Sequence, residues 1–273
     1  DVVLTHLSSF DDAPSYDYIW SPFNKIAVVE INGSILGGRS ASNVIFGGVH
    51  TGSDDIAAIF KQLEKDLFLK GVVLRINSPG GSILASDHML DAIRRFKEKT
   101  GKPVYTSMGT FAASGGYYVA MASDKIFANP ATITGSIGVF TGFFNFHELE
   151  KKWGINAESL STGKYMDLMS PHQPFTKEKE AVIKEHQQES YEHFKGLVQE
   201  SRGLTDDEAT ALAQGQFMTG EQAKDVGLVD NLGSYQDTIK AMESDLGLSS
   251  SRVEIYGRPP QRNPFGFLSF LFN

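Results

Sequence analysis

Two glycine pairs in this sequence each follow a run of residues that predicts a buried β-strand. The first lies in Asn77-Ser-Pro-Gly-Gly-Ser82 and the second in Phe111-Ala-Ala-Ser-Gly-Gly-Tyr117. At the carboxyl edge of an open α/β sheet, glycines leave backbone N–H groups open to a ligand, and a helix that begins there adds the positive end of its dipole. The pairs therefore indicate an oxyanion hole, although either pair alone also fits a tight turn into a helix.

Ser114, in the second segment, is the candidate nucleophile. Its neighbours Ala112, Ala113, Gly115 and Gly116 are all small, so its hydroxyl would have open space and adjacent N–H groups at the start of a predicted helix. A serine at this place also fits an ordinary helix N-cap, and the local sequence favours neither interpretation. A nucleophilic serine further needs a base that accepts its proton.

Composition excludes several other classes of function. The chain has 273 residues, of which 41% are hydrophobic and 21% charged, as in a folded protein rather than a disordered one. A net charge of −8 argues against a nucleic-acid partner, which would require a basic surface. The absence of cysteine excludes a thiol nucleophile, and the seven histidines show no metal-binding spacing. We therefore expect no metal and no cofactor.

The first half of the chain alternates between strand and helix patterns. This order, with short connections, predicts an α/β fold in which helices cover a parallel sheet. The predicted elements are a strand at Lys25–Gly33, a helix opened and capped by Ser53, a strand at Gly71–Asn77, a helix at Leu84–Phe96, a strand at Val104–Met108, a helix at Ser114–Ala122 and a strand at Lys125–Ala128.

The second half is mainly helical. A long helix at Thr176–Gly203 is followed by helices at Thr205–Gln214, Thr219–Val226 and Ser234–Leu246 and by a strand at Arg252–Tyr256. We divide the chain into an N-terminal segment (1–24), a catalytic core (25–175), a helical extension (176–250) and a C-terminal strand and tail (251–273). Because residue 1 is Asp rather than Met, we expect that a targeting segment has been removed. No run of apolar residues in the sequence is long enough to span a membrane.

Four motifs together resemble the signal peptide peptidase A family of serine proteases. The resemblance extends from about Lys25 to Leu246 and includes Met169-Ser-Pro171 and the segment from Gly220 to Gly233. The motifs are Arg75-Ile-Asn-Ser-Pro-Gly-Gly-Ser82, Ser107-Met-Gly-Thr-Phe-Ala-Ala-Ser-Gly-Gly-Tyr-Tyr118, Asp124-Lys-Ile-Phe-Ala128 and Thr134-Gly-Ser-Ile-Gly-Val139.

The resemblance implies a fold of the Clp-protease and crotonase kind, with repeated β-β-α units wound into a superhelix and a helical C-terminal extension. It implies a Ser–Lys dyad with Ser114 as nucleophile. The N–H groups of Gly81 and Gly115 would form the oxyanion hole, and Ser136 would orient the lysine, although a turn serine fits position 136 equally well. Apolar residues near the motifs would bind an extended peptide: Ile83, Leu84, Met108, Phe111 and Phe143.

The resemblance also implies partners and a location. Remnant signal peptides would be the substrates, and the chain would form a homo-oligomer, a dome-like ring with sites built where neighbours meet. An N-terminal anchor, missing here, would hold the protein on the cell membrane with this domain on the extracytoplasmic face. The aromatic tail Phe265–Phe272 could rest on lipid or fill a groove of a neighbour.

The sequence departs from the family at the general base. Family members carry lysine in a Gly-x-Tyr/His-Lys-Asp/Ser motif, which here is Gly163-Lys-Tyr-Met-Asp167, so that Met166 stands at the position of the base. Three hypotheses follow: Met166 replaces the base in an otherwise complete site, Lys164 acts instead, or the chain is a non-catalytic peptide-binding homologue. A crotonase-like acyl-CoA enzyme is a rival from another class, which would not need Ser114.

Overall fold

The computed structural model describes residues 24–43 and 48–257 and has a mixed α/β architecture. Its strands are β1 (Lys25–Asn32), β2 (Ser34–Leu36), β3 (Ala41–Asn43), β4 (Gly48–Gly52), β5 (Leu69–Ser78), β6 (Val104–Ala113), β7 (Lys125–Ala128), β8 (Ile133–Gly135), β9 (Phe217–Thr219), β10 (Asn231–Leu232) and β11 (Arg252–Tyr256). Its helices are α1 (Ser53–Leu63), α2 (Ile83–Thr100), α3 (Gly115–Ala120), α4 (His147–Lys152), α5 (Lys177–Arg202), α6 (Asp206–Leu212), α7 (Gly220–Asp225) and α8 (Tyr235–Asp245).

The main sheet has the strand order β10-β7-β6-β5-β1-β11, and every neighbouring pair on this path is parallel. The prediction of a parallel sheet covered by helices is thus confirmed. Because β5 and β6 run side by side in the same direction, the two glycine pairs that follow them lie at the same edge of the sheet.

Helices cover both faces of this sheet. Alternate residues of β1 point to opposite faces, so that Ala27 and Val29 pack in the larger core with α1, α2, α3 and α5, whereas Ile26 and Val28 pack in a smaller core with α8. All four side chains are fully buried, which explains why the sequence of β1 is almost continuously apolar.

Strand β6 is longer than the predicted strand Val104–Met108, because it contains an irregularity. Ile76 pairs with Met108, but Ser78 pairs with Ala112, so two extra residues of β6 bulge out between these pairs. The side-chain oxygen of Asn77 accepts the N–H of Phe111 at 3.2 Å and closes the bulge. The strand therefore continues to the residue before Ser114.

The sequence patterns did not predict seven short elements: β2, β3, β4, β8, α4, β9 and β10. Each has only two to six residues, too few to display a period of 2 or 3.6. Most of them are strands held by residues distant in the chain, as where β8 pairs with β6 and β9 pairs antiparallel with β8. The prediction that Ser53 caps α1 is also wrong, since Gly52 is the N-cap and no side chain caps the helix.

The helical second half is joined to the sheet through three strands. Strand β9 pairs with β8, β10 with β7 and β11 with β1, and the long helix α5 contributes buried residues to the larger core. Thr176 caps the first turn of α5, and Gly203 ends it in a left-handed conformation, so the helix lies within the predicted bounds Thr176–Gly203. Among the described helices, none combines the length and apolarity needed to cross a bilayer. The tail Phe265–Phe272 lies outside the described residues.

Candidate active site

Ser114 occupies a sharp turn between β6 and α3. Its φ of 50° and ψ of −121° are unusual for a residue with a side chain, and such conformations cost on the order of 1–3 kcal/mol. The backbone N–H of Ser114 donates to the carbonyl of Gly135 at 2.9 Å, but the hydroxyl makes no capping bond to α3. Ser114 thus occupies the N-cap position of α3, but its side chain does not cap the helix, so its hydroxyl is available for chemistry.

The loop of the first glycine pair lies directly against Ser114 and Gly115. Gly80 has a φ of 106°, and a β-carbon there would lie 2.7 Å from the Gly115 nitrogen and 2.8 Å from the Ser114 β-carbon. A β-carbon on Gly81 would overlap the carbonyl oxygen of Ile35. Only glycine allows this approach, which explains why both residues of the pair are glycine.

Two backbone N–H groups at this contact have no acceptor in the described part of the chain. They belong to Gly81 and Gly115, and a β-carbon at position 115 would lie 3.2 Å from the Gly81 nitrogen. The N–H of Ile35 donates to the carbonyl of Gly80, and the carbonyl of Ile35 accepts the N–H of Ser82. Because Gly80 and Ser82 face Ile35 in this strand-like segment, the N–H of Gly81 between them points away from Ile35. The structure thus places two free donors beside the Ser114 turn.

Ser136 directly follows β8, the strand that pairs with the end of β6, and lies beside Ser114. Gly135 pairs with Ala113 in the β6–β8 register, so the residues that follow them, Ser136 and Ser114, are neighbours. Ser136 also has a positive φ, 51°, and its N–H donates to the carbonyl of Gln216 at 2.8 Å. Within residues 24–43 and 48–257, no hydrogen bond uses the hydroxyl of either serine, so both are open to the cleft.

These residues line one cleft of about 900 Å³. Its floor is formed by the two loops at the sheet edge, and its wall is formed by the long helix α5 and the segment that follows α6. The lining residues are Gly81, Ser82, Ile83, Ser114, Gly115, Tyr118, Ser136, Gly138, Val139, Phe140, Gln188, Tyr191, Phe194, Ala213, Gln214 and Gly215. A hydroxyl beside two amide donors in such a cleft is an arrangement that can support acyl transfer.

No lysine and no histidine is among these lining residues. Met166 is 74% exposed, in a turn whose Met166 N–H donates to the carbonyl of Gly163 at 3.3 Å. Lys164 forms an ion pair with Glu178 on the protein surface. The hydrogen bond to Glu178 raises the pKa of Lys164, so its amine stays protonated at neutral pH and cannot accept a serine proton.

Of the five predicted substrate-binding residues, Ile83 lines the cleft and the other four do not. Met108 is 5% exposed and belongs to the larger core. Leu84, the next residue of α2, is exposed outside the cleft, since successive helical side chains point about 100° apart. Phe111 lies in the β6–β8 pair, and the ring of Phe143 packs 4.9 Å from that of Phe175.

Several lining residues were missed at the level of sequence. Tyr118 could have been found, because it lies one helical turn after Ser114 and its N–H donates to the Ser114 carbonyl. Tyr191 and Phe194 of α5, and Gln214 after α6, are about 75 to 100 positions further along the chain. No local pattern reports a contact over that separation.

The fold and the sequence together place the chain in a class. Residues 43–134 match the family model for Clp protease, which agrees with the parallel sheet and the helices around it. Residues 96–249, more than half of the chain, match the model for peptidase family S49. The fold is therefore of the Clp-protease and crotonase kind, and the chain belongs to peptidase family S49.

Curated relatives support this family. The chain is 38% identical to Protease 4 of Haemophilus influenzae over 81% of its own length and 34% of the relative. It is 33% identical to a candidate signal peptide peptidase SppA of Enterococcus faecium over 85% of its length and 67% of the relative. It is 35% identical to the chloroplastic serine protease SPPA of Arabidopsis thaliana over 79% of its length and 32% of the relative. The chain thus spans about a third of two of these proteins.

Proposed function

We propose that this chain is the serine-bearing part of an endopeptidase that cleaves extended apolar peptides. The main support is the geometry of the Ser114 turn. There a strained serine, whose hydroxyl makes no hydrogen bond within the described residues, adjoins the free N–H groups of Gly81 and Gly115. Membership of a peptidase family and relatives named as serine proteases support the same reaction. They favour a peptidase over an acyl-CoA enzyme.

The proposed reaction begins with attack of the Ser114 oxygen on a peptide carbonyl. A base takes the serine proton as the C–O bond forms, and the carbonyl oxygen becomes an oxyanion that accepts hydrogen bonds from Gly81 and Gly115. Collapse breaks the C–N bond, and the base returns the proton to the leaving amine. Water then hydrolyses the acyl-enzyme by the same steps. Ser136, beside Ser114, orients the amine that acts as base.

We assign the position of that base to residue 166, where this chain carries methionine. Burial in a dry site lowers the pKa of a lysine from about 10.4 toward the range useful for proton transfer, whereas a thioether accepts no proton at neutral pH. Met166 lies outside the cleft of its own chain, so position 166 would complete the site of a neighbouring copy. Lys164, which is paired with Glu178, is the fallback base.

The proposed substrates are remnant signal peptides or other apolar peptides bound in an extended form. The cleft beside Ser114 presents apolar side chains from α2, α3 and α5, including Ile83, Tyr118 and Phe194. One relative is named a signal peptide peptidase, which suggests the same substrate class. We further propose a homo-oligomeric ring and attachment to the cell membrane, with this domain on the extracytoplasmic face.

The test compares the natural chain with Met166→Lys. We expect Met166→Lys to hydrolyse a fluorogenic apolar peptide and Met166→Lys/Ser114→Ala to be inactive, since the second variant lacks the nucleophile. The matched control is Met169→Lys, which places the same charge on another exposed methionine of the same turn. Activity in Met169→Lys equal to that in Met166→Lys would contradict the assignment of the base.

Activity and peptide-binding measurements on the chain with Met166 distinguish the two other hypotheses for the base. Activity that is present in the natural chain and lost in Lys164→Ala would assign the base to Lys164. Peptide binding without turnover, in the natural chain and in Met166→Lys alike, would indicate the non-catalytic peptide-binding homologue. The methionine at position 166 is the observation that favours this second candidate.

A further inference from the structure

A buried tyrosine hydroxyl at the base of the cleft connects three helices. Tyr118 of α3 is 1% exposed, and its O–H donates to Oδ1 of Asp87 at 2.6 Å. Nε2 of His193 lies 2.8 Å from the same hydroxyl and 3.5 Å from Oδ1 of Asp87. Asp87 belongs to α2 and His193 to α5. We call these three residues the Tyr118 network.

Each of the three helices carries a different part of the site. Helix α3 begins directly after Ser114, and the N–H of Tyr118 donates to the Ser114 carbonyl. Helix α2 begins two residues after Gly81. Helix α5 supplies the cleft wall, where the ring of Phe194 lies 5.0 Å from that of Tyr118. The Tyr118 network therefore joins the nucleophile, one oxyanion donor and the substrate-binding wall.

The chemistry of the bond suits a positioning role. A hydrogen bond from a hydroxyl to a carboxylate is short and directional, so it restrains the ring of Tyr118 more than packing alone would. Burial and the bond to Asp87 raise the pKa of Tyr118, so the hydroxyl keeps its proton and remains a donor. The ring is thereby held in the apolar part of the cleft, which Ile83 and Phe194 also line.

We propose that Tyr118, held by Asp87 and His193, is a positioning residue that sets the depth of the pocket beside Ser114. The fixed ring determines the preference for a large apolar side chain next to the scissile carbonyl. This inference rests on the proposed peptidase function and adds to it the residue that determines specificity. It predicts that loss of the Tyr118 hydroxyl weakens the binding of ligands that fill the pocket more than the binding of ligands that leave it empty.

The test uses two fluorescent peptide boronic acids that differ only in the residue next to boron, leucine or glycine. The Ser114 oxygen bonds to boron and the hydroxyl proton is released to solvent, giving an anionic adduct that needs no lysine. Binding is followed by fluorescence anisotropy. For the natural chain we expect the leucine boronate to bind about tenfold more tightly than the glycine boronate, because it fills the pocket.

In Tyr118→Phe we expect this selectivity to fall to about twofold, because the leucine boronate loses more affinity than the glycine boronate. Asp87→Asn should have a similar effect, and the double variant should show no further loss, because both changes break one bond. The matched control is Tyr117→Phe. Tyr117 is also buried in α3, but its hydroxyl donates to the carbonyl of Leu228 at 2.8 Å, outside the cleft.

Two results would overturn the inference in distinguishable ways. If the glycine boronate binds but Tyr118→Phe and Tyr117→Phe alter selectivity equally, Tyr118 has only a structural role and the peptidase function stands. If neither boronate binds the natural chain more tightly than Ser114→Ala, the peptidase function itself fails and this inference fails with it. Thermal unfolding of each variant confirms that the compared proteins are folded.

Discussion

At the scale of single residues, the site depends on backbone conformations that most side chains avoid. Ser114 and Ser136 are the two described non-glycine residues with positive φ, and they adjoin each other at the sheet edge. Strain at two neighbouring serines is maintained by the surrounding hydrogen bonds, from Ser114 N–H to Gly135 and from Ser136 N–H to Gln216. Such strain concentrates at functional sites, because a strained backbone can direct a reactive side chain into a position that a relaxed backbone would not reach.

Gly80→Ala tests the contact between the two loops. Its β-carbon would press on the Gly115 nitrogen and on Ser114, at a φ that alanine disfavours, so the oxyanion donors should move apart. We expect binding of the glycine boronate to weaken about a hundredfold, the usual effect of losing an oxyanion donor. The control is Gly101→Ala, which has a φ of 65° but an open surrounding. Gly101→Ala should lose about 1 kcal/mol of stability and bind the glycine boronate normally. Equally weakened boronate binding in both variants would contradict the proposed role of the contact at Gly80.

At the scale of elements, helix α5 is the part that turns an exposed sheet edge into a cleft. Its middle supplies Tyr191 and Phe194 to the lining, and its last residue, Arg202, anchors it to the core. Arg202 donates to both carboxylate oxygens of Asp230, at 2.6 and 3.2 Å, and Asp230 also accepts the N–H of Ile126 at the start of β7. The Arg202–Asp230 ion pair therefore ties the wall of the cleft to the sheet.

Asp230→Asn tests this anchor. The side chain of Arg202 is 11% exposed, so its charge would lose its partner in a site with little access to water. We expect the free energy of unfolding to fall by about 3 kcal/mol in urea titrations. Glu180→Gln breaks the exposed pair of Glu180 with Lys184 on the same helix and should cost less than about 0.5 kcal/mol. Similar losses in both variants would show that the anchor is an ordinary surface pair.

At the scale of the whole molecule, residues 140–175 form an apolar segment that includes position 166. This apolar segment contains large side chains that are exposed in the single chain, which is typical of a surface that binds a partner. They are Phe140, Phe143, Phe144, Phe146, Leu149, Trp153, Ile155, Leu160, Tyr165, Met166, Met169 and Phe175. A second copy covering this segment would bury these side chains and bring position 166 to another cleft.

Phe144→Glu and Trp153→Glu test the proposed oligomer. Both side chains are more than two thirds exposed, so a charge there is tolerated by the single chain but not by a buried interface. We expect light scattering to show a multimer for the natural chain and smaller species for both variants. Leu67→Glu is the control, because Leu67 is equally exposed but lies between α1 and β5, outside the apolar segment. A monomeric natural chain would refute the oligomer.

Local patterns in the sequence were sufficient to place most long elements and the two glycine pairs. Periodicity located α2 and α5, because burial of one helix face repeats along the sequence. A continuous apolar run located β1, which is buried on both faces. Ser114 was identified as the candidate nucleophile from its small neighbours. The strained φ of Ser114 and its missing capping bond came only from the structure, since they depend on how β6, β8 and α3 meet.

Only the tertiary structure decided the shape of the cleft and the exposure of position 166. The wall from α5 and the rim at Gln214 join the site through contacts across about a hundred positions, which no local pattern encodes. The family motif located position 166 in the chain, but packing placed it on the exposed surface, away from Ser114. The physical reason is general: secondary structure follows from neighbours in sequence, whereas a site forms from segments brought together by burial of a common core.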